Sequence, residues 1–280
     1  MGVKMEYGEE LKELQKVLLD ILKEVKRVCD ENNIDYFIIG GTALGAVRHK
    51  GFIPWDDDID IGMTRDNYEK FIKIANTKLS EEFFLQTMET EEETPFYFAK
   101  VRKNKTKFIE KYVKDINMNH GIFIDIFPYD KIPNDTKLRK RQQRKVNILS
   151  NMFIAKSTCE INSEIKTVKD ILKNCIRRLL HYILIPFPKK LIYNQLNKEC
   201  KKYSEEECSK ISFVKYGYLT IDIDSVNNLK YEEGSQISFE GVIVKCPRKI
   251  TQYLNNQYGD FMKLPKKEDR KGHRPYILEL

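Results

Sequence analysis

Leu11, Leu14, Val17, Leu18, Ile21, Leu22, Val25 and Val28 recur at intervals of three and four residues, the spacing that lines one face of an α-helix. An amphipathic helix is therefore predicted here, ending near Asn32-Asn33 and packing on the adjoining part of the chain. Asp35 to Ile39 is a short aromatic and β-branched run halted by Gly40-Gly41, which reads as a strand. Thr42 to Lys50 then reads as a short helix with Thr42 near its start. Asp57 to Met63 alternates as a second strand, and Arg65 to Leu79 carries Tyr68, Phe71, Ile72 and Ala75 at helical spacing. Further strands are predicted at Phe83 to Met88, Phe96 to Arg102, Lys107 to Tyr112 and Ile122 to Phe127. From about Asp135 to Tyr203 the pattern is helical. Beyond Tyr216 it turns irregular, with a strand pair across Phe239-Glu240-Gly241 and a last helix over Pro247 to Tyr258. No internal repeat is visible.

Composition narrows the class. With 41% hydrophobic residues and only 13 Gly and 9 Pro in 280, the chain is neither disordered nor fibrous. Its longest apolar run, Leu179 to Phe187, is broken by His181 and Pro186 and is too short to span a bilayer. The segment MGVKMEYGEELKELQ is charged from Lys4 and lacks an apolar core, an expectation against export. Six cysteines without a C-x-x-C pair read as reduced thiols, so a cytoplasmic location is expected. The net charge of +7 is uneven: Lys131 to Lys202 holds 18 Lys/Arg against 5 Asp/Glu. Such asymmetry suits an anionic partner, and solvated basic helices give the same count.

The densest chemical information lies in GGTALGAVRHKGFIPWDDDIDIGM, Gly40 to Met63. If the strand reaches back to Asp56, then Asp56, Asp58 and Asp60 share one face while Asp57, Ile59 and Ile61 take the other. Converging carboxylates repel, and a cation between them keeps them ionised. Oxygen ligands without Cys or a convincing His favour Mg²⁺ or Mn²⁺ over zinc. An acidic surface loop is the plainer alternative, against which the apolar Ile59 and Ile61 argue. Asp125, alone in the apolar run Gly121 to Pro128, must meet a metal, a cation or hydrogen-bond donors. It is read as a third metal-site carboxylate or a base near the metal, or as an Asp satisfied by an Arg or by backbone amides.

Gly40 and Gly41 at the start of a helix would let backbone N–H groups approach a phosphate. Arg48, His49 and Lys50 could neutralise a diphosphate, as could Lys100 and Arg102, which sit two apart on one strand face; each is equally readable as solvated charge. Trp55, the only tryptophan, could stack on a base, though fixing the turn is the better reading. His120 and His273 are isolated candidates for acid–base work or phosphate contact.

The run Gly40 to Ile61 resembles the signature of the LicD family, related to the fukutin-type phosphotransferases. HGIFIDIFP, His120 to Pro128, is similar to its second block, and Phe239 to Gly241, Tyr253 to Asp260 and His273 resemble its carboxy-terminal part. The helical middle from Asp135 to Lys210 carries no matching motif. The resemblance implies an α/β (α+β) nucleotidyltransferase-like core, a mixed β-sheet flanked by helices, over residues 1–130. The chain pattern adds a mainly helical region over 131–280, whose C-terminal elements, on the resemblance, complete the site. It implies transfer of a phospho-alcohol from a CDP-activated donor, CDP-choline above all and CDP-ribitol in relatives, to a sugar hydroxyl of a teichoic acid or lipopolysaccharide. Asp58 and Asp60 would then be the metal-binding pair and Asp125 the third carboxylate, as ligand or base; Gly40, Gly41 and Thr42 would line the phosphates. Asp56 and Asp57 fall inside the motif without an assigned role.

Two rival functions share features of this sequence. A nucleotidyltransferase attacking the α-phosphorus of an NTP would use the same carboxylates and release pyrophosphate. A non-catalytic module binding anionic polymer would use the basic middle, but no nucleic-acid motif is visible and Asp56 to Asp60 would repel a phosphate backbone, so no nucleic-acid partner is expected. Within that middle, Ile165, Val168, Ile171, Leu172, Cys175, Ile176, Leu179, Leu180 and Ile183 form one apolar stripe flanked by Lys166, Lys169, Lys173, Arg177 and Arg178. A helix packed on the core explains the stripe. So does a basic amphipathic helix over residues 165–184, resting on an anionic membrane that carries a lipid-linked glycan acceptor.

Overall fold

The computed structural model describes residues 7–159, 167–216, 220–227, 229 and 234–280. Its amino-terminal helix α1, Tyr7–Glu31, buries Leu11, Leu14, Leu18, Ile21, Leu22, Val25 and Val28, as their spacing predicts. Strand β1, Phe37–Ile38, runs into α2, Gly40–His49, and β2, Asp60–Thr64, runs directly into α3, Arg65–Lys78. Strands β3, Phe83–Gln86, β4, Ala99–Lys103, and β5, Lys107–Ile109, precede the ten-residue β6, Phe123–Ile132. Next come three helices, α4 over Thr136–Ser157, α5 over Val168–Leu184 and α6 over Lys189–Cys200. Short strands β7, Lys210–Ser212, and β8, Thr220–Asp222, then lead to the hairpin of β9, Gln236–Phe239, and β10, Val242–Lys245. Helix α7, Ile250–Tyr258, and strand β11, Ile277–Glu279, follow.

The main sheet is mixed, as expected for this α/β pattern. Its order is β1-β2-β6-β4-β3; β2 runs parallel to β6, the other pairs on this path are antiparallel, and β7 and β8 extend it beyond the end of β6. β6 is the hub. Its inner residues Ile124, Ile126 and Tyr129 are buried, and it pairs with β4, β2 and β7 along its length. Because β6 continues through residue 130, one sheet spans both segments, 1–130 and 131–280. α1 lies over β4 and β6, and α3 packs on β2, β3 and β6.

Several boundaries differ from expectation for identifiable reasons. β2 starts at Asp60 rather than Asp57, because Asp57 is buried with its carboxylate accepting backbone N–H groups from a distant segment. β4 starts at Ala99, since Phe96, Tyr97 and Phe98 splay into an aromatic cluster with Phe127 and Phe213. The glycine pair lies inside α2, not before it, with Gly40 at φ +55°. Among the described residues past 203, short strands and 3₁₀ turns outnumber helix, so this part is less helical than expected. β11, which no local pattern predicts, pairs antiparallel with β5.

The basic amphipathic helix is present, with its orientation reversed relative to core packing. Leu184 is buried and Leu180 is half-buried against the core, whereas Val168, Ile171, Leu172, Ile176, Leu179 and Ile183 are exposed. Ile165 and Lys166 lie outside the described residues. No helix among the described residues is long and apolar enough to cross a membrane.

Arg65 at the head of α3 grips Asp130 of β6 through two 2.7 Å bonds, from Nε and Nη2. Removing one partner of a buried pair strands the other's charge at a cost of about 3–5 kcal/mol, while apolar replacement of both is far milder. Asp130→Ala should lose stability of that order in urea denaturation. Arg65→Met/Asp130→Leu should recover most of it.

Candidate functional site

Sheet register assembles the site. Asp60 of β2 is the register partner of Asp125 in β6, and Asp125 is in turn the partner of Lys100 in β4. Residues opposite one another in adjacent strands point to the same face about 5 Å apart, so two carboxylates and an ammonium form a row. Lys100 Nζ donates to Asp125 Oδ1 and lies 3.5 Å from the Phe123 ring centroid and 4.1 Å from that of Phe96. Burial lowers the Lys100 pKa, and the Asp125 charge opposes that fall.

The carboxylates preceding β2 divide between two tasks. Asp57 accepts from the backbone N–H groups of His273 (2.9 Å) and Arg274 (3.1 Å), and from the His273 ring (Nδ1, 3.1 Å). It anchors the carboxy-terminal segment rather than joining the row. Asp56, Asp58 and Asp60 approach one another and Asp125 closely enough for their charges to interact. Burial first, then Asp58 and Asp57, push Asp56 up to about 8; its carboxyl also hydrogen-bonds Asp58. Asp58 rises to about 6 through burial, with His273 opposing and Asp57 and Asp125 adding to the rise. Asp60 is held well above the carboxylate range by burial and by Asp58, Asp125 and Asp56.

Gly40 and Gly41 are explained by these acids. A Cβ at Gly40 would lie 3.1 Å from Asp60 Oδ2, and one at Gly41 would lie 2.7 Å from Asp56 Oδ2. The space beside the glycines is thus filled by carboxylates. The Gly40 N–H donates to the Tyr253 hydroxyl at 2.9 Å, and Thr42 Oγ1 accepts from the Asp60 N–H at 2.9 Å, tying α2 to β2 instead of capping the helix.

Asp58, Asp125, Lys100 and His273 line a cleft of about 290 Å³ whose other walls are largely aromatic, with Phe96, Phe98, Tyr112 and Phe123 among them. Glu110 also lines it, its carboxyl raised by burial and partly restrained by Lys100. His273 stands at its edge, its pKa raised to about 9 by the Asp57 hydrogen bond against the effect of burial, with Asp58 adding to the rise.

The other candidates are placed elsewhere. Arg102 is buried behind the cleft, where Nε donates to Gln86 and Nη1 to the Gly121 carbonyl. Arg48 donates to His49 and the Phe261 carbonyl and, with Trp55, lines a different cavity. Trp55 carries the Arg270 guanidinium 5.3 Å from its ring centroid, so it packs against the returning tail. Lys50 is exposed and ends α2 in a left-handed conformation. His120 bonds the Ile116 carbonyl and does not line the cleft. Glu110, Tyr112 and Lys215 line the cleft without any sequence motif to mark them; Tyr253 falls in a block that resembles the family and is marked by it.

Among the described residues, no three carboxylate, imidazole or thiolate groups close on one point tightly enough to cage an ion unaided. The donor set still fits a hard divalent cation. It is all oxygen, its members repel one another, and Mg²⁺ commonly takes one or two carboxylates and completes its shell with water and substrate phosphate.

The sequence model of the LicD/FKTN/FKRP family, nucleotidyltransferase domain, matches residues 33–190. The chain is 31% identical over 280 aligned residues to the lipopolysaccharide cholinephosphotransferase LicD of Haemophilus influenzae, covering 96% of this chain and 98% of that protein. Shorter similarities involve an uncharacterized Rickettsia typhi protein, 46% identical over 57 residues, and the human ribitol 5-phosphate transferase FKRP, 38% identical over 48 residues. The first covers 20% of this chain and 18% of its relative, the second 17% and 10%.

The raised carboxyls give a signed pH dependence. Asp56 keeps its proton in the folded state up to about pH 8, whereas an unfolded Asp ionises near about 4, so stability falls as pH rises across that window. Asp56→Asn should therefore melt a few degrees above wild type at alkaline pH without divalent cation, and the advantage should disappear in acid. Equal melting curves at both ends of the range would contradict this.

Proposed function

The chain belongs to the LicD family, and from that premise we propose that it moves a phospho-alcohol, phosphocholine foremost, from a CDP-activated donor to a sugar hydroxyl of a cell-surface glycan, releasing CMP. The acceptor class is a teichoic acid or lipopolysaccharide, presented free or on a lipid carrier. The observation that carries the reading is the Asp60–Asp125–Lys100 row set in adjacent strands beside an aromatic-walled cleft. The same row, with the family's description as a nucleotidyltransferase domain, supports a nucleotidyltransferase-type core. The described cysteines are all free thiols, which suits a cytoplasmic enzyme.

Asp58 and Asp60 are the residues that would hold Mg²⁺ or Mn²⁺, with Asp125 beside them as the base. Bound there, the ion would neutralise the donor's diphosphate and favour departure of CMP. Lys100 occupies Oδ1 of Asp125, which leaves Oδ2 to accept the proton of the acceptor hydroxyl. The hydroxyl oxygen then bonds to the phosphorus bearing the alcohol, and the bond from that phosphorus to CMP breaks. His273, held by Asp57 at the edge of the cleft, supplies positive charge near the leaving phosphate.

The cleft favours choline among the candidate alcohols. Phe96, Phe98, Tyr112 and Phe123 present ring faces and edges, and two of these rings already accept the Lys100 ammonium within 4.1 Å. A quaternary ammonium makes the same kind of contact, and Glu110 offers it a nearby carboxyl.

With CDP-choline, Mg²⁺ and a glycan acceptor, CMP release followed by chromatography should fall at least about a hundredfold in Asp58→Ala and Asp60→Ala, with folding retained. Tyr112→Ala should raise KM for CDP-choline by about tenfold while leaving CDP-ribitol unaffected. Pyrophosphate release from CTP in place of CMP would transfer the assignment to a nucleotidyltransferase.

A further inference from the structure

Helix α5 begins in a full capping box: Thr167 accepts from the Asp170 N–H, and Asp170 accepts from the Thr167 N–H. It packs on α4 by one narrow side. Leu184 is buried there, and His181 Nδ1 bonds the Ala155 carbonyl at 2.7 Å. The broad apolar stripe faces away from the body, with Val168 82% exposed, Leu172 60%, Leu179 61% and Tyr182 67%. The turn after α5 also exposes Ile185 and Phe187, and α6 exposes Leu191. Soluble surfaces rarely leave a contiguous apolar stripe of this length uncovered, so it has an occupant.

Charge identifies the occupant. Between Val168 and Leu191 stand six Lys/Arg and one acid, Asp170. On the helix, Lys173 lies along one rim of the stripe and Arg178 along the other, and both are exposed. An apolar stripe between cationic rims is the pattern of a helix lying in a bilayer interface, with the stripe among acyl chains and the cations at anionic headgroups.

Position links this face to the cleft. Ile154 of α4 and Lys215 line the cleft, and Arg177 of α5 lies near enough to Lys215 for the two charges to repel. We propose that α5 and the turn after it form a docking face for an anionic lipid bilayer, which holds the cleft mouth beside the membrane surface. Delivery of a lipid-linked acceptor to the cleft rests on the phosphotransfer reading; the docking itself does not.

Flotation with vesicles of phosphatidylcholine alone, and of phosphatidylcholine mixed with phosphatidylglycerol, tests the face without donor or acceptor. Its outcome is therefore separable from that of CMP release. The full chain should float with the anionic vesicles and at least about tenfold less with the neutral ones. Leu179→Ser/Ile183→Ser should abolish flotation, and Lys173→Glu/Arg178→Glu should weaken it by about tenfold, both with unchanged melting temperature. Flotation unaltered in these variants, or no flotation of the wild-type chain, overturns the proposal. So does a wild-type dimer in sedimentation that Leu179→Ser/Ile183→Ser dissociates, since a second copy would then be the occupant.

Discussion

Asp60 and Asp125 are register partners in parallel strands, so the sheet that holds the molecule together also holds two carboxylates side by side. Strand pairing fixes their separation, and like charges so placed cannot relax by turning away. Neighbouring features answer that constraint. Lys100 is fixed on the next strand with its charge against Asp125, and burial next to one another pushes the Asp56 and Asp60 carboxyls above the usual carboxylate range. The two glycines leave room for the Asp56 and Asp60 carboxyls beside α2. A divalent cation bound there would act on the same imbalance.

The constraint also accounts for distant parts of the chain. The hairpin turn Glu240-Gly241 has positive φ at both residues, and the Glu240 carboxylate accepts from the Phe52 N–H at 3.0 Å, bracing the loop between α2 and β2. Tyr253 of α7 meets the Gly40 N–H, and the tail binds Asp57. Three carboxy-terminal elements thus converge on residues 40–60, where the charge is concentrated.

Much of this is legible in the sequence. The helical spacing from Leu11 to Val28, the acidic run after Trp55 and the lone Asp125 in an apolar strand each carry a local signal, since periodicity and turn residues act over a few positions. The cleft walls are less visible. Lys100 and Arg102 look alike in sequence, yet one meets Asp125 and the other the Gly121 carbonyl, a distinction made by which side chains β6 and the segment before it bring alongside. The role of Asp57 is hidden because its partners lie 216 and 217 residues away. The stripe of α5 is plain as a pattern, but periodicity gives a face without saying which way it points.

The return of β11 to β5 and of His273 to Asp57 has a consequence for how the protein matures. The carboxylates and their strands leave the ribosome well before residues 273–279 are synthesised. Until those residues arrive, Asp57 lacks the backbone donors that accompany its burial and the edge of β5 stands open. The order of translation therefore places completion of the site after residues 273–279 have emerged, and a cut just before this short stretch would release the contacts to Asp57 and β5 while sparing the main sheet.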